Sequence, residues 1–218
     1  MRIAKLSSFS AGTIALVTAI AVQGSGAVQG SGEADRAADS MRAACAGCHG
    51  EKGEGLEARS APRLAGLQAA YLVSQLSGFT TNLRGAHSAD PFGPQMAVIA
   101  RTLKREDIQS IAAYYSALDE VQPFQTLKGN AANGKRLYDS CATCHGPDGM
   151  GLDATNAPRI AGQSDWYIVR SLELYRSGAR GGDAADSGGQ AMAAAAKALA
   201  EPADIRDVSA YASRLGRR

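Results

Sequence analysis

Two short stretches hold most of the reactive side chains of this 218-residue chain: Cys45-Ala46-Gly47-Cys48-His49-Gly50 and Cys141-Ala142-Thr143-Cys144-His145-Gly146. They contain all four cysteines and two of the three histidines. On a helical turn, two cysteines three positions apart face the same side. They can form thioethers with the two vinyl groups of a haem, and the histidine that follows then points its imidazole at the iron. Three other chemistries use paired cysteines. Structural zinc sites place their pairs closer than these. A thioredoxin-type pair expects a βαβ setting. Two local disulfides leave the histidine after each pair unexplained.

Haem iron held by one histidine needs a second axial ligand or stays open. Met96 and Met192 each lie 47 positions beyond their own histidine (96 minus 49, 192 minus 145). Both follow Gly-rich stretches read here as loops, and both precede helical segments, so each can be presented from the side of the haem away from the histidine. Met41 falls on the histidine side and Met150 too soon after His145. His87 reads as a surface histidine in a polar loop. His/Met ligation raises the reduction potential and closes the iron to substrates, which suits electron transfer. Pro62 and Pro158 sit in identical Ala-Pro-Arg contexts. A backbone carbonyl near each is expected to accept the proton on the far nitrogen of the haem histidine. Arg63, Arg159, Arg84, Arg180, Tyr71 and Tyr167 are candidates to pair with haem propionates, with a solvated surface role as the alternative for the arginines.

These positions recur at one offset of 96 (141 minus 45). Ala61-Pro62-Arg63-Leu64-Ala65-Gly66 returns as Ala157-Pro158-Arg159-Ile160-Ala161-Gly162, and Tyr71, Leu76, Arg84 and Met96 return as Tyr167, Leu172, Arg180 and Met192. One residue is inserted before Asp204-Ile205. The chain is therefore two copies of one domain. The expected division is a segment 1–21, an N-terminal domain 22–120, a linker 121–130 and a C-terminal domain 131–218. Apolar residues recur at helical spacing over Gln68–Phe79, over Ser164–Tyr175 and through Ile108, Ile111, Ala112 and Tyr115. No segment alternates with period two, so the fold class is all-α.

Composition narrows the function. The chain is 45% hydrophobic and 20% charged with formal net charge +2, which excludes a strongly electrostatic nucleic-acid binder. Its apolar fraction is rich in alanine and poor in aromatics, so two small domains are marginal on side-chain burial alone. A covalently bound porphyrin in each would fill that deficit. Arg2 and Lys5, the apolar run from Gly12 to Val22 and the small-x-small site Ala19-Ile20-Ala21 form a secretory signal pattern. That run is roughly half of the ~20 residues a spanning helix needs. A periplasmic location follows, with retention of the signal as an anchor, and hence peripheral membrane association, left open.

Taken together these residues resemble the dihaem cytochrome c₄ family over nearly the whole chain beyond the signal. The resemblance implies two class I cytochrome c domains in pseudo-twofold arrangement with two covalently attached haem c groups near their interface. It places Cys45, Cys48, Cys141 and Cys144 at the thioether positions, His49 and His145 as proximal ligands, and Met96 and Met192 as distal ligands. It also implies a non-enzymatic carrier that passes single electrons between periplasmic redox partners, towards a terminal oxidase. The cytochrome subunit of flavocytochrome c sulfide dehydrogenase is similar, so an electron-accepting subunit of a periplasmic dehydrogenase is the alternative. A dihaem peroxidase would need an iron site that opens, against two matched His/Met sets. The sequence departs from the pattern where Arg42 stands in place of a counterpart to Tyr138, and at the residue inserted near Glu201-Pro202.

Overall fold

The structure, a computed structural model, describes residues 29–119, 121 and 125–216. The expected signal segment lies outside the described residues. Among these residues the fold is helical throughout, with two isolated antiparallel bridges, Leu56–Ala61 and Leu152–Ala157, at duplicated positions. The N-terminal half contains α1 (Gln29–His49), α2 (Ala69–Thr80), α3 (Gly93–Ala100) and α4 (Arg105–Ala117). The C-terminal half repeats them as α5 (Ala131–His145), α6 (Asp165–Ser177), α7 (Ser187–Lys197) and α8 (Pro202–Ala212).

The apolar stripes explain the packing. On α4, Ile108, Ile111, Ala112 and Tyr115 are buried, and on α8 Ile205, Val208 and Ala212 are buried. Helix α8 crosses α5 so closely that a Cβ on Gly134 would lie 2.3 Å from the Asp207 carbonyl oxygen. Nearby, the Tyr138 and Tyr211 rings pack with centroids 5.5 Å apart. The first half lacks that tyrosine pair, as the sequence indicated. Arg42 instead sets its guanidinium 4.6 Å from the centroid of Tyr114, so a cation over a ring takes the place of ring against ring.

The glycines before each methionine are not loop flexibility, as the sequence reading had it. They lie in the first turns of α3 and α7. The carboxylates of Asp90 and Asp186 accept from the backbone amides of Gly93 (2.9 Å) and Gly189 (2.8 Å), starting each helix ahead of its methionine. A Cβ on Gly93 would sit 2.6 Å from Cα of Gly85, and one on Gly189 2.7 Å from Cα of Gly181. These glycines let two backbone segments touch.

The described part of the seam is bound to the second half. The Asp165 carboxylate, fully buried at the start of α6, accepts from the Leu127 amide at 2.7 Å, and Asp207 accepts from the Asn130 amide at 2.8 Å. The halves themselves meet through paired side-chain-to-backbone bonds. Gln163 donates to the Arg63 carbonyl (3.0 Å) and accepts from its amide (3.1 Å). Gln68 returns the contact, accepting from the Arg159 amide (2.9 Å) and donating to the Met150 carbonyl (3.1 Å). Arg170 donates to the Ser60 carbonyl at 2.7 Å and lies over Phe92 of the other half, 4.6 Å from its centroid.

Candidate haem sites

Each site is built on the last turn of α1 or α5. Cys45 and Cys141 are half-buried, Cys48 and Cys144 exposed, and none of the four is in a disulfide. Burial raises the thiol pKa of Cys45 and of Cys141, so neither environment favours a reactive thiolate. The helix then stops at a glycine with positive φ, +85° at Gly50 and +78° at Gly146, and the chain doubles back under the histidine.

That return places Pro62 and Pro158. His49 Nδ1 donates to the Pro62 carbonyl at 2.8 Å, and His145 Nδ1 to the Pro158 carbonyl at 2.7 Å. The expected carbonyl is thus that of the proline itself. The bond selects the tautomer that leaves the Nε2 lone pair for a metal and orients the ring. Both histidines are buried, and burial lowers both pKa values, which keeps the imidazoles neutral as ligation requires.

The methionines belong to a second apolar cluster in each half. Cys45 packs with Leu67, Leu72, Ile111 and Tyr115, whereas Met96 packs with Phe79, Ala97 and Ala100. Leu76 touches both clusters. In the second half Cys141 and Met192 lie in separate clusters joined in the same way by Leu172. An apolar cofactor anchored by thioethers at one cluster and reached by a thioether sulfur from the other fits this division.

Arg63, which the sequence left between a propionate partner and a solvated surface residue, is fully buried. Its Nη1 donates to the Ala65 carbonyl and its Nη2 to the Ala161 carbonyl, each at 2.9 Å, so it staples the two halves. Burial, and then the Arg159 charge, pull its pKa down to about 10, still cationic at neutral pH. Arg159 is buried as well and donates from Nε to the Ala161 carbonyl at 3.1 Å. Arg84 and Arg180 cross the interface to Tyr167 and Tyr71 at 2.8 and 3.3 Å. Burial alone would raise the Tyr167 phenol, but these two guanidiniums outweigh it and lower its pKa. The acceptors around Arg84 and Arg180 are carboxamide, hydroxyl and phenol oxygens, and Nε of Arg84 is buried without a partner. A buried Arg180 and a half-buried Arg84 held by neutral acceptors suit a cofactor that brings its own carboxylates. His87 is exposed and accepts from the Ala89 amide, away from these clusters.

The competing chemistries find little support. Among the described residues no group of three or more His, Cys, Asp or Glu side chains is arranged to hold a metal. The described residues of the two halves also lack the βαβ setting of a thioredoxin.

Residues 34–119 and 131–215 each match the family described as Cytochrome c. The chain belongs to the cytochrome c family. This cytochrome is 31% identical to a protein of Stutzerimonas stutzeri named thiosulfate dehydrogenase electron acceptor, over 83% of each chain. It is 30% identical to cytochrome c4 of the same species, over 65% of this chain and 71% of that one. The crystal structure of reduced cytochrome c4 from Pseudomonas stutzeri superposes with TM-score 0.65 at 28% identity, covering 83% of this cytochrome and 97% of that chain. A thiosulfate dehydrogenase, TsdBA from Marichromatium purpuratum, gives TM-score 0.66 at 32% identity over 81% of this cytochrome and 38% of that chain. The cytochrome is therefore a cytochrome c4-like dihaem electron-transfer protein, with two covalent haem c groups on the two Cys-x-x-Cys-His motifs.

Sequence reasoning missed Gln68, Gln75, Gln163, Asp165 and Arg170. The glutamines that tie the halves stand at 68 and 163, an offset of 95, so a comparison at 96 passes over them. Gln75 answers to Ser171, and Arg170 to Ser74. These residues break the repeat, and only a mismatch within an otherwise matched helix marks them.

Proposed function

We propose that this protein is a periplasmic carrier, without catalysis of its own, that passes single electrons between redox proteins and towards a terminal oxidase. The observation that carries it is the duplicated constellation itself: each half joins two thiols, a histidine fixed by a proline carbonyl, and a methionine in a separate apolar cluster. His49 and Met96 would hold one iron and His145 and Met192 the other, with thioethers at Cys45, Cys48, Cys141 and Cys144. The reading takes 1–21 as a cleaved signal, 22–120 and 131–218 as the domains and 121–130 as the linker. The cofactor, when bound, supplies the one-electron couple at each site. The chain supplies the rest. The prolines orient the histidines, the methionines would close the sixth position to substrates, and Arg84 and Arg180 would balance the carboxylates. No proton need move during transfer. Among the described residues no helix is long and apolar enough to cross a membrane.

A second reading has specific support. Relatives named thiosulfate dehydrogenase electron acceptor match at 31% and 34% identity, the first over 83% of this chain. An electron-accepting partner of a thiosulfate-oxidising dehydrogenase fits the same geometry. It specifies the dehydrogenase alternative differently from the flavocytochrome c partner that the sequence suggested.

The test is a visible spectrum and a redox titration of the purified protein, with haem counted against polypeptide. Two haems, a far-red sulfur-to-iron band in the oxidised state and two positive potentials support the carrier. High-spin iron at either site, or peroxide turnover, overturns it. Adding a thiosulfate dehydrogenase catalytic subunit and thiosulfate then separates the two readings, because only the second requires rapid reduction under those conditions.

A further inference from the structure

The duplication gives each surface of the molecule an internal comparison. On α3 the outward-facing Val98 is 63% exposed and Ile99 is 44% exposed. The equivalent positions on α7 are Ala194 and Ala195, also exposed. Two adjacent branched side chains thus stand in water where the sister half keeps methyl groups. Arg101 follows Val98 by three positions, which places it on the same helical face. Lys104 and Arg105 open α4, and all three bases are exposed. Arg101 and Arg105 also line, with Val73, Leu103 and Ile108, a groove of about 690 Å³.

The charges stand where helix energetics disfavour them. The start of a helix is the positive end of its dipole, and cations there are destabilising. Helix α8 begins Glu201-Pro202, in keeping with that rule, whereas α4 begins Lys104-Arg105. The cap is otherwise shared, for Asp107 accepts from the Lys104 amide at 2.8 Å and Asp204 from the Glu201 amide at 3.2 Å. Arg101 donates to the neutral side chain of Asn82. Glu106, an exposed acid, directly follows the run, and Arg206 stands on α8 where α4 has Gln109. The contrast therefore lies in where the bases sit, against exposed Val98 and Ile99, more than in total charge. The run is also local: residues 22–125 hold 9 basic and 11 acidic side chains, yet three of those bases fall between Arg101 and Arg105.

We propose that Val98, Ile99, Arg101, Lys104 and Arg105 form the docking surface for the acidic face of an electron-transfer protein. The inference rests on the carrier reading. The apolar pair supplies the desolvated contact, and the bases steer and orient the partner. The partner comes to rest against the helix that carries Met96, so the N-terminal half is the port. One electron lost by one protein is gained by the other, and no bond or proton is exchanged.

The probe is plastocyanin, an acidic blue-copper protein. Oxidation of the reduced dihaem protein by oxidised plastocyanin is followed by stopped flow over a range of ionic strength. Binding is read separately, as chemical-shift changes on the labelled dihaem protein. The variants are R101E/K104E/R105E, V98S/I99S and, in the sister half, K197E. The charge reversal is expected to lower the low-salt rate about tenfold or more and to abolish its fall with salt. V98S/I99S lowers the rate several-fold with the salt slope retained. K197E changes it less than twofold. Shifts on α3 and the start of α4 accompany binding. An unchanged rate and slope in the charge reversal, an equal effect of K197E, or shifts confined to the second half overturns the proposal. Cycling of the wild-type protein by ascorbate and ferricyanide checks the carrier reading independently of where plastocyanin binds.

Discussion

Arg84 Nη2 donates to the Tyr167 hydroxyl at 2.8 Å across the interface between the halves, and the duplicated pair, Arg180 and Tyr71, meets at 3.3 Å. The symmetry fails at one atom. Oε1 of Gln75 accepts from Arg84 Nη1 and from Arg180 Nη2, each at 2.7 Å. Ser171, its counterpart, accepts from Arg180 at 3.4 Å. Two like-charged guanidiniums are thus held together by one neutral oxygen, which needs an anion nearby to be comfortable.

This asymmetry is expected to make the two redox sites inequivalent. The Arg84 charge reaches His49, where it adds to the lowering of the pKa that burial begins, whereas the lowering at His145 comes from burial. A cation beside a redox centre favours the reduced form. Arg84→Gln is expected to lower the N-terminal potential more than the C-terminal one. A redox titration resolved into two waves measures it, and two equal shifts would contradict the assignment.

The proposed ligation by the methionines would have a direct optical consequence. Met96→Ala and Met192→Ala should each remove about half of the far-red band and leave one site high-spin, and the double variant should lose the band. Haem content should stay at two per chain, because the thioethers are untouched. A single variant that loses the whole band would argue against two independent His/Met sites.

Gly134 allows α5 and α8 to touch. Alanine favours a helix over glycine by about 1 kcal/mol, but here its Cβ would sit 2.3 Å from the Asp207 carbonyl oxygen. Gly134→Ala is therefore expected to destabilise the C-terminal half, by about 1–3 kcal/mol as overpacking does. Denaturant unfolding followed by Trp166 fluorescence reports it.

Asp207 predicts a dependence on pH. Hydrogen bonds from the Asn133 side chain and then the Asn130 amide lower its pKa. A carboxyl whose folded pKa is depressed contributes its full stability above the unfolded value, and loses it as pH falls through the folded one. Asp207→Asn puts an amide donor where Oδ2 accepts from Asn133 at 2.8 Å. It should cost about 2 kcal/mol at neutral pH. The gap from wild type should close in acid, below about pH 4. A gap independent of pH would sink the assignment.

Much of this was legible beforehand because covalent haem attachment is written in local spacing. Cys-x-x-Cys-His is a single helical turn, and the common 47-residue separation singles out Met96 and Met192 as the proposed distal ligands. The stripes on α2, α4 and their copies were visible for the same reason. The glycines near the methionines misled, since composition cannot distinguish a flexible glycine from one that lets Gly85 and Gly93 touch. Arg63 was ambiguous because its burial depends on the Ala161 carbonyl, 98 positions away.

Sequence alone thus determined the cofactor chemistry, the duplication and the helical class, because each depends on residues a turn or a repeat apart. Tertiary structure decided how the halves meet. Gln68, Gln75, Gln163 and Arg170 act between segments some 80 to 110 positions apart, at places where the two copies differ, and the duplicated Arg63 and Arg84 reach across similar separations. Such contacts follow from how two folded surfaces fit, and a linear pattern does not encode that fit.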